Sequence, residues 1–334
     1  MLYLTTRDRV GSYTPKYAMN RERCACGGFF YPNRLPVLTE VQLAELPAES
    51  FGQRVAQIMN IFFGEQLNGW EIEFSAGRHP ARISTMNHKI AVLEAWHNSN
   101  AALEGFISNV FDRLEGEGVP GSWFRIAVRI ALLFAAFGDL MKAGIAEGDH
   151  PVDIALDAGE FESVLAAWYA RKMGLPIGTI VLGCNDSSSL WDFFHHGELD
   201  TKCDTQRRIP GCLELLILET LGFKEAQRFV SACRENKHYF LRDDQLRVLQ
   251  KGMCCAVIRQ HRRDAIVRNV YGTNCYLMEP GTAQAYGALQ DYRSSRGETA
   301  CALILSEKSP LAVVQEMVRI LSVPADVIQK IMDA

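Results

Sequence analysis

The stretch from residue 152 to residue 184 constrains the fold of this chain more than any other part. Apolar and β-branched residues at 152–156 are followed by a glycine turn at Gly159 and by a helical pattern over 161–173. The segment 174–176, Gly-Leu-Pro, ends that helix, and a second apolar strand follows at 179–182. A strand, a helix and a strand in this order form a βαβ unit with parallel strands. The sequence therefore predicts an α/β protein with a mostly parallel sheet flanked by helices.

The hydrophobic periodicity outside that unit is mainly helical. Before the unit, it predicts helices over 40–46, 51–63, 100–114 and 123–141 and a strand over 90–93. After the unit, it predicts helices over 213–221, 224–235 and 245–262, a last strand over 301–305 and two terminal helices. Between 64 and 80 the pattern weakens, because glycines at 64, 69 and 77 interrupt it.

Composition excludes several classes of function. The net charge of -4 gives no basic field that would hold a nucleic acid. The longest apolar run, 126–137, is interrupted by Arg129 and is too short to span a membrane, and residues 1–9 lack the apolar core of a signal peptide. Ten scattered cysteines indicate a reducing compartment rather than a disulfide framework. We therefore expect a cytoplasmic protein that acts on neither nucleic acids nor membranes.

Metal-ligand spacing is absent from the sequence. The nearest approach is Cys24-Ala25-Cys26, which has neither the two-residue spacer of a zinc site nor a matching histidine pair. We therefore predict no metal site.

Several segments together resemble one enzyme family. Residues 166–177 read AAWYARKMGLPI and resemble the AGYYAKKMGLPI segment of threonine synthases. Further similarities lie at 2–7, at 27–32, at 121–125, at 185–199 and at 276–283, in the order of the family and over nearly the whole chain. Threonine synthases are pyridoxal-phosphate (PLP) enzymes of the tryptophan synthase β-like fold, fold type II. The resemblance implies that fold here, with a reduced small domain.

The resemblance also implies positions for a cofactor site. Asp157 to Glu162 lie where the family carries its TGNFG phosphate loop, so Gly159, Glu160, Phe161 and Glu162 match cofactor-binding positions. Thr282 matches a hydroxyl near the pyridine nitrogen, although a threonine there is also explained as a helix N-cap.

The phosphate loop has an altered charge. Glu160 and Glu162 replace neutral residues of the family loop, and we expect them to disfavour a phosphate. Alternatively, the two glutamates face solvent and only stabilise the start of the helix.

The chain departs from the family where the catalytic lysine belongs. PLP enzymes need a lysine amine for their Schiff base, which the family carries in a GPTLAFKDF segment followed by SGDTGSAA. Both segments belong between Phe63 and Ile90, and neither is present there. Lys89 is the only lysine between Lys16 and Lys142, but its surroundings match the start of a strand, which makes it a weak candidate. We therefore expect no covalently bound PLP.

Three functional hypotheses follow. The resemblance and the missing segments favour a shortened, degenerate threonine synthase homologue without catalysis, which binds a small molecule in the old cleft or a protein partner and has a regulatory role linked to amino-acid metabolism. The first alternative is a PLP-dependent lyase that uses Lys89 and acts on O-phosphohomoserine or a related amino acid. The second is a cofactor-free enzyme with Asp157, Glu160 or Glu162 as acid or base.

The resemblance also suggests a division into domains. Residues 1–75 together with 145–334 are predicted to form the main domain, and residues 76–145 a remnant of the small cofactor and substrate domain.

Overall fold

A computed structural model describes residues 1–64, 67–76, 81–87, 89–96, 102–146, 150–200, 209–235, 237–297 and 300–333. These residues contain ten strands: β1 Tyr3–Thr5, β2 Phe30–Pro32, β3 Arg82–Asn87, β4 Ile90–Glu94, β5 Val152–Asp157, β6 Ile177–Cys184, β7 Glu198–Leu199, β8 Tyr239–Phe240, β9 Met253–Val257 and β10 Ala302–Ser306. They also contain fifteen α-helices: α1 Pro15–Met19, α2 Glu40–Glu45, α3 Phe51–Phe63, α4 Gly69–Ala76, α5 Ala102–Arg113, α6 Ser122–Lys142, α7 Phe161–Lys172, α8 Leu190–His196, α9 Leu213–Leu221, α10 Phe223–Arg234, α11 Asp243–Gln250, α12 Gln260–Asn274, α13 Pro280–Arg296, α14 Val314–Leu321 and α15 Ala325–Met332.

The central sheet has six strands in the order β3-β4-β10-β5-β6-β9. Only β3 runs antiparallel to its neighbour, and the other five strands are parallel. β5, α7 and β6 form the βαβ unit, with Ile154 of β5 paired to Ile180 of β6. This arrangement confirms the predicted α/β class and the mostly parallel sheet.

Side chains of alternate strand residues enter two hydrophobic cores, one on each face of the sheet. Ile154 and Leu156 of β5 join α3, α6, α7 and α9 in the larger core, whereas Ala155 faces the other side. There α12, α13 and α14 cover the sheet. Because both faces are buried, the central strands are mostly apolar, which is typical of parallel sheets.

The structure corrects the sequence prediction in several places, and helix α13 is among the elements that the prediction lacks. The single helix predicted over 245–262 is wrong in its middle: α11 ends at Gln250, Gly252 has a left-handed φ of +83°, 253–257 form strand β9, and α12 begins at Gln260. The apolar run of β9 pairs with β6 inside the sheet, where tertiary pairing overrides local helix periodicity. The interval 64–80 contains a helix, α4, that the prediction lacks, and β3 was also missed. Residues 100–101 of the predicted helix 100–114 lie outside the described part.

Residues 76–145 contribute to the same sheet and core as the rest of the chain. β4 pairs with β10 along its whole length, and α6 packs against α3 and α7. The division into a main domain of 1–75 plus 145–334 and a small-domain remnant of 76–145 stays a prediction.

Gly183 of β6 lies where helix α13 crosses the sheet closely. A Cβ on Gly183 would lie 2.4 Å from the backbone oxygen of Gln284, which is part of a helix and cannot move alone. We therefore expect Gly183→Ala to lower the free energy of unfolding by about 1–3 kcal/mol, as overpacking does elsewhere. Urea unfolding followed by circular dichroism measures this change.

Gly272 of α12 is a matched control, because a Cβ added there meets nothing within 4 Å. Gly272→Ala should raise stability by about 0.5–1 kcal/mol through helix propensity. Equal stability of Gly183→Ala and the wild type would contradict the close approach of α13.

Candidate functional site

A cavity of about 640 Å³ opens at the carboxyl edge of the parallel strands. The ends of β5, β6 and β10 and the starts of α7 and α13 line it. Open α/β sheets place their ligand crevice at this edge. Its charged lining residues are Asp157, Glu160, Glu279, Glu307, Glu316, Arg263 and Lys308.

The turn between β5 and α7 is closed by the carboxylate of Asp157. Asp157 Oδ1 accepts the backbone N–H of Gly159 at 2.9 Å and the amide of Gln284 at 3.1 Å. Burial raises the pKa of Asp157 to about 7, although the hydrogen bond from Gly159 lowers it. The negative charges of Glu279 and Glu160 raise it further. Asp157 therefore changes its charge near neutral pH.

Glu160 and Glu162 both lie in ion pairs. Glu160 contacts Lys308 Nζ at 2.6 Å, and Glu162 contacts Arg125 at 3.0 Å and Arg129 at 3.1 Å. Their side chains are 31% and 21% exposed. Nearby cations therefore compensate both charges, and neither glutamate acts only as a solvated helix cap. That the two glutamates disfavour a phosphate stays a prediction.

Glu279 is the N-cap of α13 and occupies its free backbone donors. The carboxylate accepts Gly281 N at 2.7 Å, Thr282 N at 2.5 Å and the Thr282 hydroxyl at 2.6 Å. Thr282 is therefore not the N-cap that one alternative predicted. It is 1% exposed and does not line the cavity, since its hydroxyl points to Glu279.

Asp157 and Glu279 flank one glycine from two sides. A Cβ on Gly281 would lie 2.7 Å from Asp157 Oδ2 and 3.1 Å from Glu279 Oε1. Burial also raises the pKa of Glu279, although the hydrogen bonds from Thr282 and Gly281 lower it. A side chain at position 281 would therefore clash with both carboxylates, and the glycine lets these two mutually repelling acids pack against the start of α13.

Two further residues, Glu307 and Lys308, follow β10 and were missed by sequence reasoning. Glu307 is buried and contacts Arg129 of α6 at 3.0 Å. Burial lowers the pKa of Lys308, but its hydrogen bond to Glu160 and the surrounding carboxylates raise it above the ordinary lysine value. Glu307 and Lys308 could have been identified from the sequence, because they come directly after a predicted parallel strand.

Only some of the predicted site residues lie at the cavity. Gly159 and Glu160 line the cavity, whereas Phe161 is 3% exposed and belongs to the larger core. Lys89 lies at the amino end of β4, and its carbonyl accepts the N–H of Ala302 at the start of β10. The parallel strands therefore separate Lys89 from the cavity, which lies at their other end.

The residues present do not fit the phosphate of PLP. Such a phosphate needs free backbone N–H groups at a helix start. Here Asp157 takes the N–H of Gly159, and Glu279 takes those of Gly281 and Thr282. Both carboxylates are also charges of the wrong sign for a phosphate.

Metal and membrane features are absent from the described residues. No group of three or more histidine, cysteine, aspartate or glutamate side chains in that part of the chain is placed to hold a metal ion. Nor does any helix within the described ranges have the length and apolarity needed to cross a membrane.

Comparisons with curated sequences point to one group of proteins. Threonine synthase-like 1 from Homo sapiens is 24% identical over 195 residues, which cover 54% of this chain and 26% of that protein. Threonine synthase from Methylobacillus glycogenes is 33% identical over 76 residues, 23% of this chain and 15% of that protein. The chain thus matches about a quarter of the length of these relatives or less. No family model matches the chain.

Comparisons with solved structures show the fold. The PLP-bound threonine synthase from Brucella melitensis has a TM-score of 0.81 and 15% identity, over 97% of this chain and 92% of that chain. Yeast threonine synthase has a TM-score of 0.81 and 14% identity, over 96% and 90%. The chain therefore has the same fold as these threonine synthases, fold type II, as the resemblance implied.

Proposed function

We propose that this threonine synthase-like chain is a pseudoenzyme that binds a free amino acid, rather than PLP, in the cavity at the sheet edge. Its role is then binding or regulation linked to amino-acid metabolism. One observation carries the proposal: the carboxylate of Asp157 takes the Gly159 N–H in the turn before α7, and the carboxylate of Glu279 takes the first backbone donors of α13. A cleft with this chemistry attracts an ammonium group and repels a phosphate.

The distribution of charge favours an amino acid over a simple amine. Glu160, Glu307 and Glu316 are compensated by Lys308, Arg129 and Arg263. Asp157 and Glu279 remain for the ligand ammonium, and both line the cavity together with Gly281. Lys308 is 52% exposed and can approach the ligand carboxylate.

The alternative function, a PLP-dependent lyase acting on O-phosphohomoserine, finds no suitable amine in the part of the chain that the structure describes. Among the described residues that line the cavity, Lys308 is the only lysine. Its raised pKa keeps the amine protonated, and a protonated amine is not a nucleophile. Lys89 lies at the opposite end of the strands. Both observations support loss of PLP chemistry.

Calorimetric titration tests the proposal with four compounds: L-threonine, L-homoserine, N-acetyl-L-threonine and inorganic phosphate. We expect the two free amino acids to bind. N-acetyl-L-threonine has no ammonium group, so it should bind at least about tenfold more weakly, because it loses the charged interaction. Binding of phosphate at this cavity, or equal binding of the acetylated compound, would contradict the proposal.

Amino-acid binding should strengthen as the pH rises through 7. The ligand ammonium needs an ionised Asp157, whose pKa is about 7. Between pH 6 and pH 8 the ionised fraction rises about tenfold, so the association constant should rise by about the same factor. Titrations of L-threonine at these two pH values measure the change, and a pH-independent constant would exclude Asp157 from the site.

A further inference from the structure

A second, smaller cavity of about 430 Å³ lies apart from the sheet-edge cavity, between the N-terminal segment and α10. It is lined by Arg7, Cys26, Gln227, Val230, Ser231 and Arg234. A cysteine sulfur at the wall of a cavity is accessible to a bound reactant.

Cys26 is joined to Cys24 in a disulfide within a tight turn. The scattered cysteines predict no disulfide framework, but the turn closed by the hydrogen bond from Gly27 N to the Cys24 carbonyl brings the two Cα atoms to 5.3 Å, within disulfide reach. Cys24 is 6% exposed, whereas Cys26 is exposed. An incoming thiolate can therefore reach only the sulfur of Cys26.

The surroundings of Cys26 select an anionic reactant. Arg234 is exposed and has no ion-pair partner among the residues that the structure describes. Arg7 adds a second guanidinium, which forms an ion pair with Glu214 at 2.9 Å. Val230 adds an apolar side chain to the lining of the cavity. Exposed arginines bind carboxylates bidentately.

We propose that the Cys24–Cys26 disulfide is a thiol–disulfide exchange site for a small thiol that carries carboxylate groups and binds beside Arg7 and Arg234. The proposal is independent of the amino-acid site, which lies at the sheet edge.

Two molecules of the small thiol supply the two electrons that reduce the Cys24–Cys26 disulfide. The thiolate of the small molecule attacks Cys26 Sγ, a new S–S bond forms, the Cys24–Cys26 bond breaks, and Cys24 leaves as a thiolate that takes up a proton. A second molecule of thiol attacks the mixed disulfide, which releases the oxidised small molecule and leaves both cysteines reduced. The reverse sequence, with the small disulfide as oxidant, closes the bond again.

Glutathione, a thiol with two carboxylates, is the probe for the test. In Cys24→Ser the mixed disulfide cannot resolve, so mass spectrometry after incubation with glutathione disulfide counts the product at each cysteine. We expect Cys26 to be modified at least about tenfold faster than Cys275, a free and exposed cysteine elsewhere. In Cys26→Ser only the buried Cys24 remains in this turn, and we expect no mixed disulfide between Cys24 and glutathione.

The charge requirement is tested on Arg234. Because Arg234 is exposed, Arg234→Ala should keep the fold, and it should slow modification of Cys26 by up to about fivefold at low salt. Arg247→Ala, an exposed arginine of α11, should have no effect. Cystamine, a cationic disulfide, should react more slowly than glutathione disulfide. Equal rates at Cys26 and Cys275, or no effect of Arg234→Ala, would overturn the proposal.

Discussion

Replacing Arg129 with methionine should lower the free energy of unfolding by about 3–5 kcal/mol, the cost of leaving a buried charge unpaired. Arg129 of α6 is 3% exposed and holds Glu307 at 3.0 Å, Glu162 at 3.1 Å and the Ser163 hydroxyl at 3.0 Å. It thereby joins α6, the first turn of α7 and the end of β10. Without it, Glu307 stays buried without its cation. Urea unfolding followed by circular dichroism measures the loss.

Two further variants separate the charge from the packing of Arg129. Adding Glu307→Gln to Arg129→Met should recover part of the lost stability, because the uncompensated charge is removed. Lys330→Met breaks an exposed pair with Asp326 and should change stability by less than about 1 kcal/mol. A loss below about 1 kcal/mol for Arg129→Met would show that the network does not hold these elements together.

Replacing Asp157 with asparagine should weaken L-threonine binding about tenfold or more, because a hydrogen bond to a charged group is lost. The same variant should make the unliganded protein more stable at pH 8. The folded-state pKa of Asp157, about 7, lies above the ordinary aspartate value of 3.8. Folding therefore favours the protonated carboxyl, and wild-type stability should fall as the pH rises from about 4 to about 7. Asparagine keeps the hydrogen bonds from Gly159 and Gln284 and removes this loss.

Calorimetry and thermal unfolding of Asp157→Asn at pH 8 check both effects. Asp326→Asn, an exposed carboxylate of α15, is the matched control and should change neither binding nor its pH dependence. Weaker binding together with lower stability would indicate damage to the turn rather than loss of a ligand contact.

The fold was predictable because its main signals are local. The β5-α7-β6 unit was read from apolar runs, one glycine turn and the Gly-Leu-Pro stop, all within residues 152–184. The helix prediction over 245–262 was wrong because Met253–Val257 are apolar for a non-local reason. These residues pair with β6 inside the sheet. Local periodicity cannot distinguish such a run from a buried helix turn.

The site was predictable only in position. The turn at Asp157 to Glu162 follows strand β5 and precedes helix α7, as the βαβ pattern predicts. The neutralisation of Glu162, however, depends on Arg129 of α6, and that of Glu160 on Lys308 after β10. The role of Glu279 likewise depends on α13 meeting the end of β5 beside Gly281. These partners are far apart in sequence, so no motif showed them.

The most direct test of the central claim is treatment of the full chain with PLP, followed by borohydride reduction and peptide mass spectrometry. We predict no stoichiometric pyridoxyl-lysine at Lys308 or Lys89 and no visible Schiff-base band, while the same preparation binds L-threonine by calorimetry. Stoichiometric modification of either lysine, accompanied by that absorbance band, would contradict the claim that the cleft has exchanged PLP for an amino acid.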